Sequence, residues 1–276
     1  MITPPLILNC FEYKRRLEGG LSKPFLFAAN DENNKEYEVV VKLRKPDSEN
    51  NHFGATSLAC ELICSIVLRL LDIPTPNYAI VFISETLAAS HLIQSDRKLL
   101  IANKGKNFGT IFHKGATTWY PNSEATLTDT QYNLVEDVMT FDSTVINGDR
   151  KIDKPNILQT GKEVLLIDHS LALPVCRWNS KDIDDSPLFP DANIKAHCGF
   201  NPMRSKIKDD TNMFGFSKLL SNWDAVLSDE DWKTIRDFIP SSWEENHGEL
   251  DKIFRFLQKR PERFIEISES LRRIVR

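Results

Sequence analysis

The 276-residue chain contains neither of the common glycine-rich phosphate loops, GxGxxG or GxxxxGK[ST], and it has no CxxC pair. It has no internal repeat and no low-complexity tract, which excludes collagenous, coiled-coil and wholly disordered architectures. No apolar run approaches the ~18 residues of a membrane helix. Residues 1–16 hold only the short run Pro4-Pro5-Leu6-Ile7-Leu8, with basic residues after it instead of before, so they do not read as a signal peptide. An excess of basic charge is also missing. Lys and Arg number 35 against 39 Asp and Glu, giving a net charge of -4. Nucleic acid is therefore not expected as the main ligand; the nearest approach to a basic stripe is Arg272, Arg273 and Arg276. The five cysteines (Cys10, Cys60, Cys64, Cys176, Cys198) are odd in number and scattered, so no disulfide framework is expected. Cys60 and Cys64 lie four apart in an apolar helical pattern and read as core thiols. These absences together describe a cytoplasmic, reduced protein with no membrane partner.

What is present is ordinary globular composition, 41% hydrophobic and 27% charged, with length for about two domains or one two-lobed unit. Residues 24–30 and 37–43 are strand-like runs joined by the polar turn Asp31-Glu32-Asn33-Asn34, which predicts a hairpin. Residues 58–71 predict a helix ended by Asp72-Ile73-Pro74-Thr75-Pro76, with Leu62, Ile63, Ile66, Val67, Leu70 and Leu71 in one apolar stripe. Glu61 projects from the other side, and its helical neighbours Ser57, Leu58, Cys64 and Ser65 carry no charge. A solvated face would carry Lys or Glu there, so Glu61 is expected to face something specific. Residues 78–83 predict another strand. From about Leu127 the character turns helical, with helices expected over 130–146 and repeatedly over 214–276; the polar stretch 177–217 between them reads as a long loop. A β-rich first part (1–110) before a helical second part (111–276) makes an α+β fold with two lobes. The five Trp, Trp223, Trp232 and Trp243 among them, read as core anchors.

The chemistry is concentrated in Asn147-Gly148-Asp149-Arg150-Lys151-Ile152-Asp153-Lys154-Pro155-Asn156-Ile157-Leu158 and Val164-Leu165-Leu166-Ile167-Asp168-His169. The two strand-like ends form a hairpin about Thr160-Gly161-Lys162. Pairing Gln159 with Glu163 sets Asn156 opposite Leu166, so Asn156 and Asp168 emerge at one end. An Asn beside an Asp suits a hard cation such as Mg²⁺, which takes one or two protein ligands, waters and substrate phosphates. Asp149, seven residues before Asn156, is placed to accept a proton. Phosphoryl transfer requires mainly positioning and charge neutralisation. It is completed by a strand Lys for the phosphates and a helical Glu to hold that Lys. Lys42, after Val39-Val40-Val41, and Glu61 on the next helix fill those roles in the order found in kinases.

These residues resemble the catalytic and metal-binding segments of HipA-like kinases, as do Val41-Lys42, the Glu61 helix with Ile73-Pro74-Thr75-Pro76, and Phe108-Gly109-Thr110 with Gly115. The resemblance implies a protein-kinase-like fold with ATP between two lobes. It also implies Lys42 on the ATP phosphates, Glu61 paired with Lys42, Asp149 as base, and Asn156 and Asp168 on Mg²⁺. The sequence departs from common kinases in Asp168-His169-Ser170, where Asp-Phe-Gly is typical, and in Asn147-Gly148-Asp149, where His-Arg-Asp is. Gly19-Gly20-Leu21-Ser22-Lys23 is the candidate phosphate loop, with Gly19, Gly20 and Ser22 as contacts and Ser22 also a candidate self-phosphorylation site by the same resemblance. His169 is read as an orienting residue and Arg150 as half of a structural ion pair; His197-Cys198 receives no role. The expected partners are ATP and a protein carrying the acceptor Ser or Thr. The alternatives are a small-molecule or lipid-headgroup kinase, a nucleotide-binding pseudokinase, and transfer of AMP on the same fold.

Overall fold

The run Glu36–Lys42 shows how the first half is built. Val39 and Val41 are fully buried while Val40 and Lys42, on the other face of the strand, are half-buried, the period-two pattern of a strand with a core on one side. In the computed structural model, which describes residues 2–17, 23–44, 54–91, 93–120, 129–151, 153–161, 163–177 and 215–275, this strand is β3 of a closed five-stranded barrel. β1 (Leu6–Arg16), β2 (Phe25–Asn30), β3, β5 (Gly105–Ile111) and β4 (Tyr78–Ile83) are neighbours in that order, and a parallel β1–β4 pairing closes the ring. The barrel interior is filled by Leu8, Phe25, Phe27, Val39, Val41 and Val81. Gly109 in β5 belongs to that packing: a Cβ there would stand 2.4 Å from a methyl of Val81 and 2.8 Å from one of Val39. The barrel leaves no room for any larger residue.

β1 and β5 are strands that hydrophobic pattern did not announce. β1 is mostly charged toward its end, and its pairing with β2 slips between Cys10 and Glu12 and again between Tyr13 and Arg15. Such bulges break the two-residue alternation and bend a strand around a barrel. The short helices α2 (Glu85–Ser90) and α3 (Gln94–Ala102) follow β4.

Helix α1 (Thr56–Leu70) is buried at every residue from Thr56 to Leu68, so the single apolar stripe expected of it is corrected to a helix enclosed on all sides. It ends in a left-handed turn at Asp72 (φ 58°), where the Ile73 N–H bonds the Leu68 carbonyl at 2.9 Å. Its apolar residues join Ile80 and Phe108 of the barrel to one large cluster that also holds Val138, Phe141, Trp223, Trp232 and Phe256. That cluster is the core of α4 (Asp129–Val145), α5 (Gly215–Val226), α6 (Asp229–Phe238), α7 (Glu249–Lys259) and α8 (Phe264–Val275). Trp223, Trp232 and Trp243 are buried anchors, as expected.

A small sheet is formed by β6 (Thr117–Thr118), which precedes α4 in sequence, and by β7 (Ile157–Thr160) and β8 (Glu163–Leu166), which follow it. Its register corrects the expected one by a residue. Thr160 pairs with Glu163 and Ile157 with Leu166, so Asn156 lies level with Ile167, whose N–H bonds the Asn156 carbonyl at 3.1 Å. The cause is the turn: Gly161 at φ 60° permits a two-residue loop where a three-residue one was expected. Most of the polar stretch expected as a long loop (177–217) lies outside the described residues, as do Gly19, Gly20, Ser22 and His197-Cys198. Among the described residues no helix is long and apolar enough to cross a membrane.

Candidate active site

Lys42 leaves β3 on the outer face of the barrel, where α1 covers it. Its ammonium is ion-paired with the Glu61 carboxylate and lies 2.7 Å from Asp168 Oδ1. Glu61 is 2% exposed, which explains why no charged residue surrounds it on the helix: it faces Lys42. Its carboxylate also accepts the backbone N–H of His169. One ammonium thus joins strand β3, helix α1 and the turn after β8, three segments far apart in sequence.

The loop between α4 and β7 supplies the remaining residues and is held by a buried arginine. Arg150 is 1% exposed and grips Asp142 of α4 with Nε (2.6 Å to Oδ2) and Nη2 (3.2 Å to Oδ1). Its Nη1 donates to the carbonyls of Pro155 (3.0 Å) and Asn156 (2.7 Å), and Nη2 lies 3.1 Å from His169 Nε2. Guanidinium has no acceptor, so that histidine nitrogen accepts and the ring proton sits on Nδ1. Asn147 reinforces the turn through Asp142 Oδ1 at 2.9 Å and through the Asp149 N–H at 3.3 Å. Asn156 (φ 50°) and Asp168 (φ 62°) both adopt left-handed backbone, which Asn and Asp tolerate better than other side chains. Ile146 at φ 57° is a costlier case, a β-branched residue at the entrance to the loop. Arg260, fully buried in the helical core, donates to the Thr144 (2.8 Å) and Ser143 (3.1 Å) carbonyls just before it.

These parts line a cleft of about 510 Å³ with Lys42 and Glu61 on one wall and Lys154, Asn156 and Asp168 on the other. Leu17 and Pro24, on either side of residues 18–22, also line it. Asp149 lies beside this wall, its carboxylate 2.5 Å from the Lys154 ammonium, which stands 3.5 Å from Asp168 Oδ2. Asn156 Nδ2 points back to the Asp149 carbonyl at 3.5 Å, so the amide oxygen is the atom that could serve a cation.

The charges set each other's protonation. Burial alone would raise the Asp168 pKa, but Lys42 and Lys154 override it and hold the carboxyl well below the usual range. Burial would likewise lower Lys42, but Asp168 and Glu61 raise it, so it stays an ammonium. Glu61 is the reverse: burial raises its pKa, and Lys42, shared with Asp168, offsets only part of that. Burial, with Arg150 and Lys42 nearby, drives His169 well below its ordinary value, so it is neutral.

Lys42, Glu61, Asp149, Asn156 and Asp168 are therefore brought together. Asn156 and Asp168 are hard oxygen donors, fewer than a cation needs, and among the described residues no group of three His, Cys, Asp or Glu could hold a metal alone. That suits Mg²⁺, which takes its other ligands from phosphates and water. Cys60 and Cys64 are buried thiols, as expected. Sequence reasoning missed Lys154 and Asp142. Neither has a clear local signal: Lys154 is one of several lysines in its segment, and Asp142 is a single acidic residue in the last turn of α4.

The barrel, the enclosed helix and the two-walled cleft with its Lys–Glu–Asp constellation define a kinase-like α+β fold. Residues 10–267 match the family model described as HipA-like kinase, and the chain belongs to that family. Among solved structures it is similar to the Helicobacter pylori proinflammatory kinase CtkA, at 12% identity over 98% of this chain and 99% of that one, with a TM-score of 0.57. A weaker likeness, at 13% identity over 99% of this chain and 73% of that one, is to a Golgi casein kinase solved with Mn/ADP (TM-score 0.42). No curated protein matches the chain. Family and fold support a phosphotransferase.

Proposed function

We propose that the chain is an ATP- and Mg²⁺-dependent kinase that phosphorylates a Ser or Thr hydroxyl on a protein. The observation that carries this reading is the Lys42 ammonium held between Glu61 and Asp168 in the cleft, with Asp149 and Asn156 alongside. The protein acceptor is the expectation that comes with the family. In this reading residues 1–110 form the nucleotide-side lobe and 111–276 the catalytic lobe.

Lys42 binds the α- and β-phosphate oxygens, and Glu61 fixes the direction of its ammonium. Asp168 and Asn156 hold Mg²⁺, which when bound supplies charge neutralisation to the phosphates. Asp149 accepts the proton of the acceptor hydroxyl as its oxygen attacks the γ-phosphorus and the bond from that phosphorus to the β–γ bridging oxygen breaks, releasing ADP. Arg150 touches neither substrate nor metal; it holds the Asn156 carbonyl and the His169 ring, and so positions both metal-ligand segments. Gly19, Gly20 and Ser22 complete the phosphate side.

The test is transfer from γ-labelled ATP with Mg²⁺ to the chain itself or to cell-extract proteins. Asp149→Ala is expected to lose about 10²–10⁴-fold in transfer while still binding nucleotide. Undiminished transfer by that variant overturns the assignment of the base. Incorporation from α-labelled ATP would replace phosphoryl by nucleotidyl transfer, and label found only on small molecules would replace the protein acceptor.

A further inference from the structure

Lys154 belongs neither to the phosphate-binding pair nor to the proton-accepting group, yet its ammonium joins them. It lies 2.5 Å from Asp149 Oδ2 and 3.5 Å from Asp168 Oδ2. The other oxygen of Asp168 is already engaged, by Lys42 at 2.7 Å and by the Ser170 hydroxyl at 2.9 Å. The Lys154 ammonium therefore stands where a cation bound to Asp168 from the Asp149 side would stand.

Three carboxylates (Glu61, Asp149, Asp168) face two ammoniums (Lys42, Lys154) in this cluster, leaving one net negative charge. Take Lys154 away and two negative charges remain, the complement of a divalent cation. Keep it, and a dication on Asp168 has an ammonium within a few ångströms, at a partly buried site where repulsion is weakly screened. Lys154 is built to leave. Its side chain is 31% exposed, against 14% for Lys42. Its backbone is fixed by reciprocal bonds with Lys151, N–H to carbonyl at 3.0 Å and 3.2 Å, so departure needs only rotation of the side chain.

We infer that Lys154 is the resting counter-ion of the site: it neutralises Asp149 and Asp168 before substrate arrives and must swing out for a divalent cation to reach Asp168. This rests on the reading of Asp168 and Asn156 as metal ligands. Until Lys154 leaves, Asp149 is also tied up as a base, so metal entry and release of the base become one event.

The test needs no turnover. Mn²⁺ is titrated calorimetrically into the nucleotide-free full chain and into Lys154→Met, Lys154→Arg and Asp168→Asn. Removing the competing charge should tighten Mn²⁺ binding about tenfold or more. Lys154→Arg, which keeps the charge, should stay near wild type, an outcome that a purely packing role for the side chain would not produce. Lys154→Gln serves in place of Lys154→Met if the latter fails to fold, as judged by its melting curve. Equal or weaker binding by the neutral variants, with binding lost in Asp168→Asn, overturns the counter-ion role and leaves the metal site standing. No Mn²⁺ binding by any form overturns the counter-ion role, because removal of the ammonium then opens no site. The metal site, which takes further ligands from phosphates, is overturned separately if Asp168→Asn binds Mn²⁺–ADP as tightly as wild type.

Discussion

The barrel and the loop from Ile146 to Asn156 hold their side chains of the candidate site in place by opposite means. In the barrel, Lys42 is aimed by register: β3 pairs with β5 so that Lys42 lies beside Phe108, and the alternate residues Val39 and Val41 fill the interior. The loop has no such lattice. It is held by one buried guanidinium gripping a carboxylate and two carbonyls, and by a second capping the helix that leads into it. Apolar packing is forgiving of replacements that conserve volume, whereas a buried ion pair leaves an uncompensated charge when one partner goes. The two halves of one site should therefore fail differently.

The largest effect is expected in the loop. Arg150→Met strands the Asp142 carboxylate and should cost about 3–5 kcal/mol in denaturant unfolding. Arg150→Lys should recover little of it, because a single ammonium cannot reproduce the forked contacts. A loss below about 1 kcal/mol would show that the loop is packed, not pinned. In the barrel, Gly109→Val should destabilise by about 1–3 kcal/mol through overpacking. Gly109→Ala should recover part of its own loss when combined with Val81→Ala, which removes the nearer of the two methyls it strikes. Additive losses in that double variant would break the steric account. Arg260→Met comes next, at about 1–2 kcal/mol for the two carbonyls it leaves unbonded, and transfer activity should fall with it as the loop entrance loosens.

The smallest effect is in the acid limb. Folding lowers the Asp168 pKa, so its contribution is complete above the unfolded value of about 3.9 and is lost as pH falls toward the folded one. Asp168→Asn should lose stability less steeply than wild type as pH is taken from about 5 to about 3 in denaturant melts. Glu61 has the opposite sign: its pKa is raised on folding, so its share is present below about 4.3 and lost as pH rises. Glu61→Gln should therefore steepen the same limb, and matching slopes for the two variants would refute the assignment of charges.

Much of the fold was legible because periodicity is local. The hairpin of β2 and β3, the strand β4, and the helices α1 and α4 follow from runs of apolar residues and their terminators. β1 and β5 were not legible: one is bulged and highly charged, the other is Gly-Lys-Asn-Phe-Gly-Thr-Ile, and both are strands because the barrel requires neighbours there. In the site, the isolation of Glu61 among uncharged residues was a readable sign, since an uncharged setting is what burial looks like in one dimension. The hairpin register was misread by one residue because turn length depends on the conformation of Gly161, which composition alone does not declare.

The sequence by itself determined which chemical groups exist and in what order: a strand lysine, a helical glutamate, and the Asp-Asn-Asp set around a hairpin. Only the tertiary structure decided who shares whom. Lys42 serves both Glu61 and Asp168, Arg150 binds Asp142 instead of a ligand, and Lys154 bridges Asp149 and Asp168. Side-chain pattern follows from neighbours within a turn or a strand, whereas the energy of a charge depends on what burial brings within a few ångströms of it, from anywhere in the chain.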